Sequence, residues 1–308
     1  MINNTVAEKI IRKIYPKAKV NSINLYKKGM INKNYEIITS NPNKEFILRI
    51  YPKDGWKAKK ENELYSLISK KIDIPIPKVY LIDDNRKIIE YTYLLLSKID
   101  GEELNIAYKR TKNKSLIITA GEILGKIHTI RMPNFGWITD KGVSPSFSKW
   151  TEFLEYDLNE KLSKLIKIRS FPKEIISQSK NYFMKTQSLL DVEDEPCLLH
   201  KDYHFSHILS DGNGITGIID LEWAISGINE LDITKSIMWM FDKQPEIEGY
   251  FLNGYKKMVR LSSSYAKRRN IYEFLILLSS ISLAYEYNNL AWIEEYLSKL
   301  KVRLSQIE

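Results

Sequence analysis

Between residues 20 and 100 the apolar positions come in short, β-prone runs set off by polar turns: Glu36-Ile37-Ile38, then Phe46-Ile47-Leu48-Arg49-Ile50 after Asn41-Pro42-Asn43, then Thr92 to Leu96. Such runs predict strands joined as antiparallel hairpins. One segment breaks the rhythm: from Trp56 to Ser69, Leu64, Leu67 and Ile68 recur at helical spacing behind a charged first turn. Pro75-Ile76-Pro77 then forces an extended passage into the next strand. Past Asp100-Gly101 the spacing changes. Leu116 to Ile127, Trp150 to Ile166, Glu174 to Leu190 and Ile271 to Val302 are long and amphipathic, which predicts helices. The exception is Pro196 to Ala224, where Ile208-Leu209 and Ile215 to Ile219 flank the turn Asp211-Gly212-Asn213-Gly214. A hairpin set among helices marks a candidate site. The pattern therefore predicts an α+β chain in two parts: residues 1–100, an antiparallel sheet with one helix, and residues 101–308, mainly helical around a hairpin.

Composition narrows the class. With 308 residues, 44% of them hydrophobic, the chain can bury a substantial core. Its longest apolar runs, such as Tyr93 to Leu96 and Phe274 to Leu278, fall far short of the ~20 residues of a membrane-spanning helix, so no membrane partner is expected. The start, Met1-Ile2-Asn3-Asn4, lacks the features of a secretory signal, and a cytoplasmic location is expected. A single cysteine, Cys197, excludes an intramolecular disulfide, and with four histidines at these spacings it does not make a zinc cluster. The net charge of +9 arises wholly in the first hundred residues, with 20 Lys+Arg against 11 Asp+Glu; the remainder balances at 27 against 27. Those lysines are scattered, without the interleaved aromatics of a nucleic-acid stacking platform. No nucleic-acid partner is expected. A basic first part is compatible with attraction of a polyphosphate.

The sharpest chemical signal is Leu199-His200-Lys201-Asp202-Tyr203-His204-Phe205-Ser206-His207, followed by the strand Gly217-Ile218-Ile219 that ends on Asp220. Phosphoryl transfer needs a carboxylate near the attacking hydroxyl and further groups that hold metal on the nucleotide phosphates, because positioning and charge stabilisation supply nearly all the catalysis. Five residues separate Asp202 from His207 and eighteen separate it from Asp220, the spacing of the catalytic and metal-binding loops in protein-kinase-like enzymes.

On these residues the chain resembles the aminoglycoside phosphotransferase family, whose members share the bilobal protein-kinase fold. The resemblance implies that Asp202 is the catalytic base, that His200 braces its loop, and that His207 and Asp220 hold Mg²⁺. Most of the family carries asparagine at the position of His207; histidine there is similar to the aminoglycoside 2″- and macrolide 2′-phosphotransferases. Downstream, Gly227 and Asp232 resemble a G-D-P-x-x-D element with Ile228 in place of its first aspartate, and the resemblance implies that Asp232 ties the loop down.

Upstream, Gly29-Met30-Ile31-Asn32-Lys33-Asn34-Tyr35 resembles the family's loop over the nucleotide phosphates, which makes Gly29 and Asn32 candidate contacts. Arg49 stands where protein kinases keep the lysine of the α- and β-phosphates, and Glu61 is its expected acidic partner. Leu94 to Gly101 resembles the hinge, where backbone groups of Ser97 and Ile99 would meet the base of ATP or GTP. His128, at the end of an apolar helix, reads as structural.

For the acceptor, the resemblance implies a small hydroxylated, cationic molecule of the aminoglycoside type, served by a monomer. Glu222, Glu230, Asp242, Glu246, Glu248 and Glu286 are candidate acidic contacts. A macrolide kinase would instead want an apolar pocket, for which Trp223, Met238, Trp239, Met240, Phe241, Tyr285 and Trp292 are available. A housekeeping kinase of choline or an amino sugar is a further alternative. A catalytically silent kinase-fold binding protein is opposed by the intact Asp202 and Asp220.

Overall fold

The computed structural model describes residues 2–26 and 31–305. Five strands form the N-terminal antiparallel sheet, β1 (Lys19–Leu25), β2 (Lys33–Ser40), β3 (Lys44–Tyr51), β4 (Val79–Asp83) and β5 (Thr92–Ser97), in the order β1-β2-β3-β5-β4. Alternation along β3 decides what each face covers. Phe46, Leu48 and Ile50 pack with Tyr93, Leu95 and a short helix α1 (Asn4–Ile11), through Ala7, Ile10 and Ile11. Tyr51, with Leu94 and Leu96, packs instead against α2 (Trp56–Lys71), through Ala58, Leu64, Tyr65 and Ile68. Covered on both sides, β5 is buried from Thr92 to Leu96, as its unbroken apolar run requires. Each such side chain contributes roughly 1.5–3 kcal/mol on burial. Helix α1 adds to the one helix expected here; the Asn3 side chain caps it by accepting the Val6 N–H at 3.0 Å.

The remainder is mostly helical, with α3 (Leu104–Thr111), α4 (Lys114–His128), α5 (Trp150–Leu165), α6 (Lys173–Thr186), α7 (Asn229–Phe241), α8 (Glu248–Lys256), α9 (Tyr265–Glu286) and α10 (Leu290–Leu304). The predicted helix Ile271 to Val302 is two: Asn288 turns left-handed at φ 51°, and the Asn289 side chain caps α10 by accepting the Trp292 N–H at 3.2 Å. Two small sheets lie among the helices. The predicted hairpin is β10 (Ile208–Ser210) with β11 (Ile215–Ile218), and β10 also pairs with β6 (Glu102–Glu103), which follows β5 in the chain. A four-stranded sheet in the order β8-β7-β12-β9 joins β7 (Phe135–Thr139), β8 (Gly142–Phe147), β9 (Cys197–Leu199) and β12 (Ile225–Gly227). Cys197 is buried in it, its thiol pushed up to about 12 by burial.

Helices α4 and α8 touch backbone to backbone. A Cβ on Gly121 would lie 2.0 Å from the Phe251 carbonyl oxygen, and one on Gly254 would lie 1.9 Å from that of Ile118. Only glycine permits this approach. Among the described residues no helix is long and apolar enough to cross a membrane.

Candidate active site

The loop between β9 and β10 is held from below by a buried carboxylate. Asp232, in the first turn of α7, accepts the backbone N–H of His200 at 2.7 Å and that of Lys201 at 2.9 Å. Lys201 adopts φ 60°, a left-handed turn that lets two consecutive amides converge on one carboxylate. The same carboxylate meets Nε2 of His128 at 3.1 Å, and Nδ1 of His128 meets the Tyr255 hydroxyl, itself an acceptor from Asn229, each at 2.8 Å. His128 is thus a buried link between α4, α7 and α8.

His200 is fully buried, and burial pushes its ring down to about 4, so the ring is neutral. Nδ1 accepts the Asp202 N–H at 3.3 Å, which leaves the proton on Nε2 to be donated to the Ile219 carbonyl at 3.2 Å. One ring therefore couples the Asp202 loop to the strand before Asp220. It touches neither carboxylate.

The Asp202 carboxylate is surrounded by nitrogen. Lys235 Nζ lies 3.1 Å from Oδ1, His207 Nδ1 3.3 Å from Oδ2 and His204 Nε2 3.7 Å from Oδ2. Burial alone would raise the carboxyl, but Lys235 and then the two histidines outweigh it and hold Asp202 well below the usual carboxylate range. Asp220, with φ 69°, points its Oδ2 at the other nitrogen of His207, Nε2, 3.6 Å away. A single imidazole therefore stands between the two carboxylates.

Arg49 lies on the face of β3 opposite Leu48 and is almost fully buried. Its Nη2 meets Asp220 Oδ1 at 2.8 Å and Glu222 Oε2 at 3.2 Å, while Nε stands 3.3 Å from Glu61 Oε2. Burial raises Glu61 despite Arg49, and the Tyr51 hydroxyl donates to it. Asn32 donates to Glu222, whose backbone oxygen accepts from Lys60 at 2.8 Å; burial pushes Lys60 down to about 7. Three carboxylates thus converge on one guanidinium. That negative surplus, with Asp220 Oδ2 and His207 Nε2 facing each other, is a donor set that fits a divalent cation completing its shell with water and phosphate oxygen.

Asn32, Arg49, Asp202, His207, Asp220 and Glu222 line one cavity of about 430 Å³. Ser97 and Ile99 are not part of its wall: the Ser97 N–H donates to the Lys78 carbonyl at 2.8 Å, and the Ile99 side chain packs over Gly217. Gly29 lies outside the described residues. Of the six acidic candidates only Glu222 and Glu286 face the cavity. Glu230 is buried against Arg268 with two contacts of 2.6 Å, Asp242 pairs with Lys299 at 2.9 Å, and Glu248 faces Arg269 at 3.8 Å. Trp223, Trp239 and Trp292 line the cavity, whereas Met240 and Phe241 belong to the core.

Lys235 was missed by sequence reasoning. It lies three residues beyond Asp232, a spacing that puts both on one face of α7, and that was the available signal.

The model of the phosphotransferase enzyme family (APH) matches residues 22–270. No curated protein matches the chain in sequence. Among solved structures, the chain is similar to a thermostable mutant of aminoglycoside phosphotransferase APH(4)-Ia in ternary complex with AMP-PNP and hygromycin B, at 16% identity and TM-score 0.76 over 98% of each chain. It is also similar to a proposed fructosamine-3-kinase from Thermobifida fusca, at 15% identity and TM-score 0.75 over 99% of this chain and 100% of that one. The APH(2″)-IIa complex with gentamicin matches at 18% identity and TM-score 0.69, over 100% of this chain and 98% of that one.

Proposed function

The chain belongs to the phosphotransferase enzyme family, and from that membership we propose that it moves the terminal phosphoryl group of ATP or GTP onto a hydroxyl of a small molecule through Asp202. The observation that carries this is the placement of Asp202 and Asp220 on either side of the His207 ring, in one cavity roofed by Arg49.

Asp202 is ionised at neutral pH, so it accepts the hydrogen bond of the acceptor hydroxyl and aims that oxygen at the phosphorus. Lys235 and His207 fix the carboxylate's direction. His200 and Asp232 fix the loop and remain outside the reaction. Asp220 and His207 would hold Mg²⁺, which when bound neutralises charge on the transferring phosphates. Arg49 meets the phosphates by giving up part of its contact with Asp220 and Glu222, with Asn32 beside it. The residue 1–100 part then serves the nucleotide and the residue 101–308 part the acceptor, with Ser97 and Ile99 at the crossing between them.

An aminoglycoside is the acceptor to try first, because the solved complexes that the chain is similar to hold hygromycin B and gentamicin. Macrolides, choline and amino sugars follow. Purified protein with Mg²⁺ and either nucleotide should convert one such compound to its phosphate ester, read by mass spectrometry. Asp202→Ala should cut transfer at least ~10²-fold with nucleotide binding retained. Transfer within a few-fold of wild type would sink the assignment.

A further inference from the structure

Beside Asp202 the cavity wall is basic. Lys201 and Lys161 stand over the Trp137 ring with Nζ 4.2 Å and 5.2 Å from its centroid, and Lys164, one helical turn beyond Lys161 on α5, lines the same wall. These three ammonium groups share one carboxylate, Asp157, which pairs with Lys161 at 2.9 Å. Among the described residues neither Lys164 nor Lys201 has an acidic side chain within ion-pair distance. An aromatic face offsets part of the cost of bringing cations together. It does not neutralise them.

We propose that this wall is an anion subsite of the acceptor pocket, and that the molecule phosphorylated carries a carboxylate or phosphate seated on Lys161, Lys164 and Lys201, with its reacting hydroxyl at Asp202.

The proposal rests on the phosphotransferase reading, but it replaces the cationic, aminoglycoside-type acceptor, expected from the sequence and put first by the neighbouring complexes, with an anionic one. The placement has a physical logic. Lys201 precedes Asp202 in the chain, and Lys235 ties the Lys201 carbonyl and the Asp202 carboxylate together at 2.5 Å and 3.1 Å. An anion on the Lys201 ammonium is therefore held at a fixed offset from the reacting position. Burial, and then Lys161 and Lys235, push Lys201 down to about 8 against the pull of Asp157 and Asp232, and an anion bound beside it would raise it. Four acids, Asp202, Asp220, Glu222 and Glu286, also face the cavity, but Lys235 engages the first and Arg49 the second and third, and none of the four pairs with Lys161, Lys164 or Lys201. An ammonium-rich acceptor would meet more like than unlike charge on this wall.

Four probes share one sugar skeleton and differ in charge: glucose, glucosamine, glucuronate and glucose 6-phosphate. Their binding is measured by isothermal titration at low salt, with a nonhydrolysable ATP analogue titrated separately into the same preparation. Glucuronate or glucose 6-phosphate should bind at least ~10-fold tighter than glucose, and glucosamine more weakly than glucose. Which of the two anions binds better separates a carboxylate from a phosphate. In the double variant Lys161→Gln, Lys164→Gln the anion preference should fall to within about two-fold of glucose, on the loss of two of three cations. The anion subsite is overturned by glucosamine binding as tightly as the anions, by no binding of either anion, or by the variant keeping its full preference. Failure of the ATP analogue to bind would instead remove the phosphotransferase reading on which the subsite rests.

Discussion

Lys235 Nζ bridges the Asp202 carboxylate, 3.1 Å from Oδ1, and the Lys201 carbonyl oxygen at 2.5 Å, from a helix that also supplies the buried Asp232 beneath the same loop. One ammonium group thereby aims the carboxylate and, with His204 and His207, keeps it ionised. In the proposed reaction a base so strongly stabilised would be a weak proton acceptor, and its contribution would be to orient the hydroxyl rather than to deprotonate it early. Phosphoryl transfer tolerates this, because its transition state asks little of a base.

Replacing Lys235 with methionine should lower kcat by about 10–100-fold, the scale of a lost positioning contact. The sign of the pH effect follows from the site. Asp202 sits below its usual range because of Lys235, so without that charge its pKa rises and the acid limb of kcat moves to higher pH. Lys235→Arg should recover part of the rate. A methionine variant with the wild-type rate and an unmoved acid limb would show that Lys235 is only a structural contact.

At His207, asparagine should be tolerated and alanine should not. Asparagine supplies an oxygen donor well suited to Mg²⁺, whereas alanine removes the group that stands between Asp202 and Asp220. Activity of the alanine variant at saturating Mg²⁺ is expected at least ~10-fold below that of the asparagine variant. Mn²⁺, which accepts nitrogen more readily, should favour the wild type over the asparagine variant. Identical behaviour of both variants with both metals would assign His207 a purely structural role.

His200 makes a prediction about stability rather than rate. Its ring is held near 4 in the fold and titrates at about 6.5 when unfolded, so between these values the unfolded chain binds the extra proton. Stability from this group is complete above the unfolded value and is lost as pH falls toward 4. From pH 7 to pH 5 the loss should be about 2 kcal/mol in urea-unfolding experiments. His204 is lowered in the same direction, so the comparison with His200→Gln isolates one ring. The variant should show a flatter slope across this window; an unchanged slope would mean that His200 is not the group being protonated.

What could be read from the sequence was local. His200, Asp202, His207 and Asp220 lie within twenty-one residues, so their spacing could be matched to the family's loops, and the same resemblance placed Arg49 and Glu61 on one strand and the next helix. Lys235 escaped because its partner lies thirty-three residues earlier and only the docking of α7 under the loop unites them. The four-stranded sheet escaped for another reason: β9 and β12 are three residues each, too short for a period to show, and β8 is largely exposed and contains Pro145. The break between α9 and α10 was announced by Asn288-Asn289, but apolar spacing continues on both sides and concealed it. The acceptor's surroundings were least legible. Lys161 and Lys164 belong to α5, and nothing near them in the chain reveals that they face Asp202's cavity.

The donors that run from Asn229 through Tyr255 and His128 to Asp232 come from α4, α7 and α8, whereas the cavity wall beyond Asp202 is drawn largely from α5, α9 and α10. On the proposed reading, what must stay constant for the chemistry and what selects the molecule are therefore written largely in different helices. Substitutions at Lys161, Lys164, Glu286 or Trp292 can accumulate without disturbing the amides that Asp232 grips. On that reading a change of acceptor would ask for changes in the wall alone and leave phosphate transfer standing, while the close glycine contact of α4 on α8 admits almost no change at all.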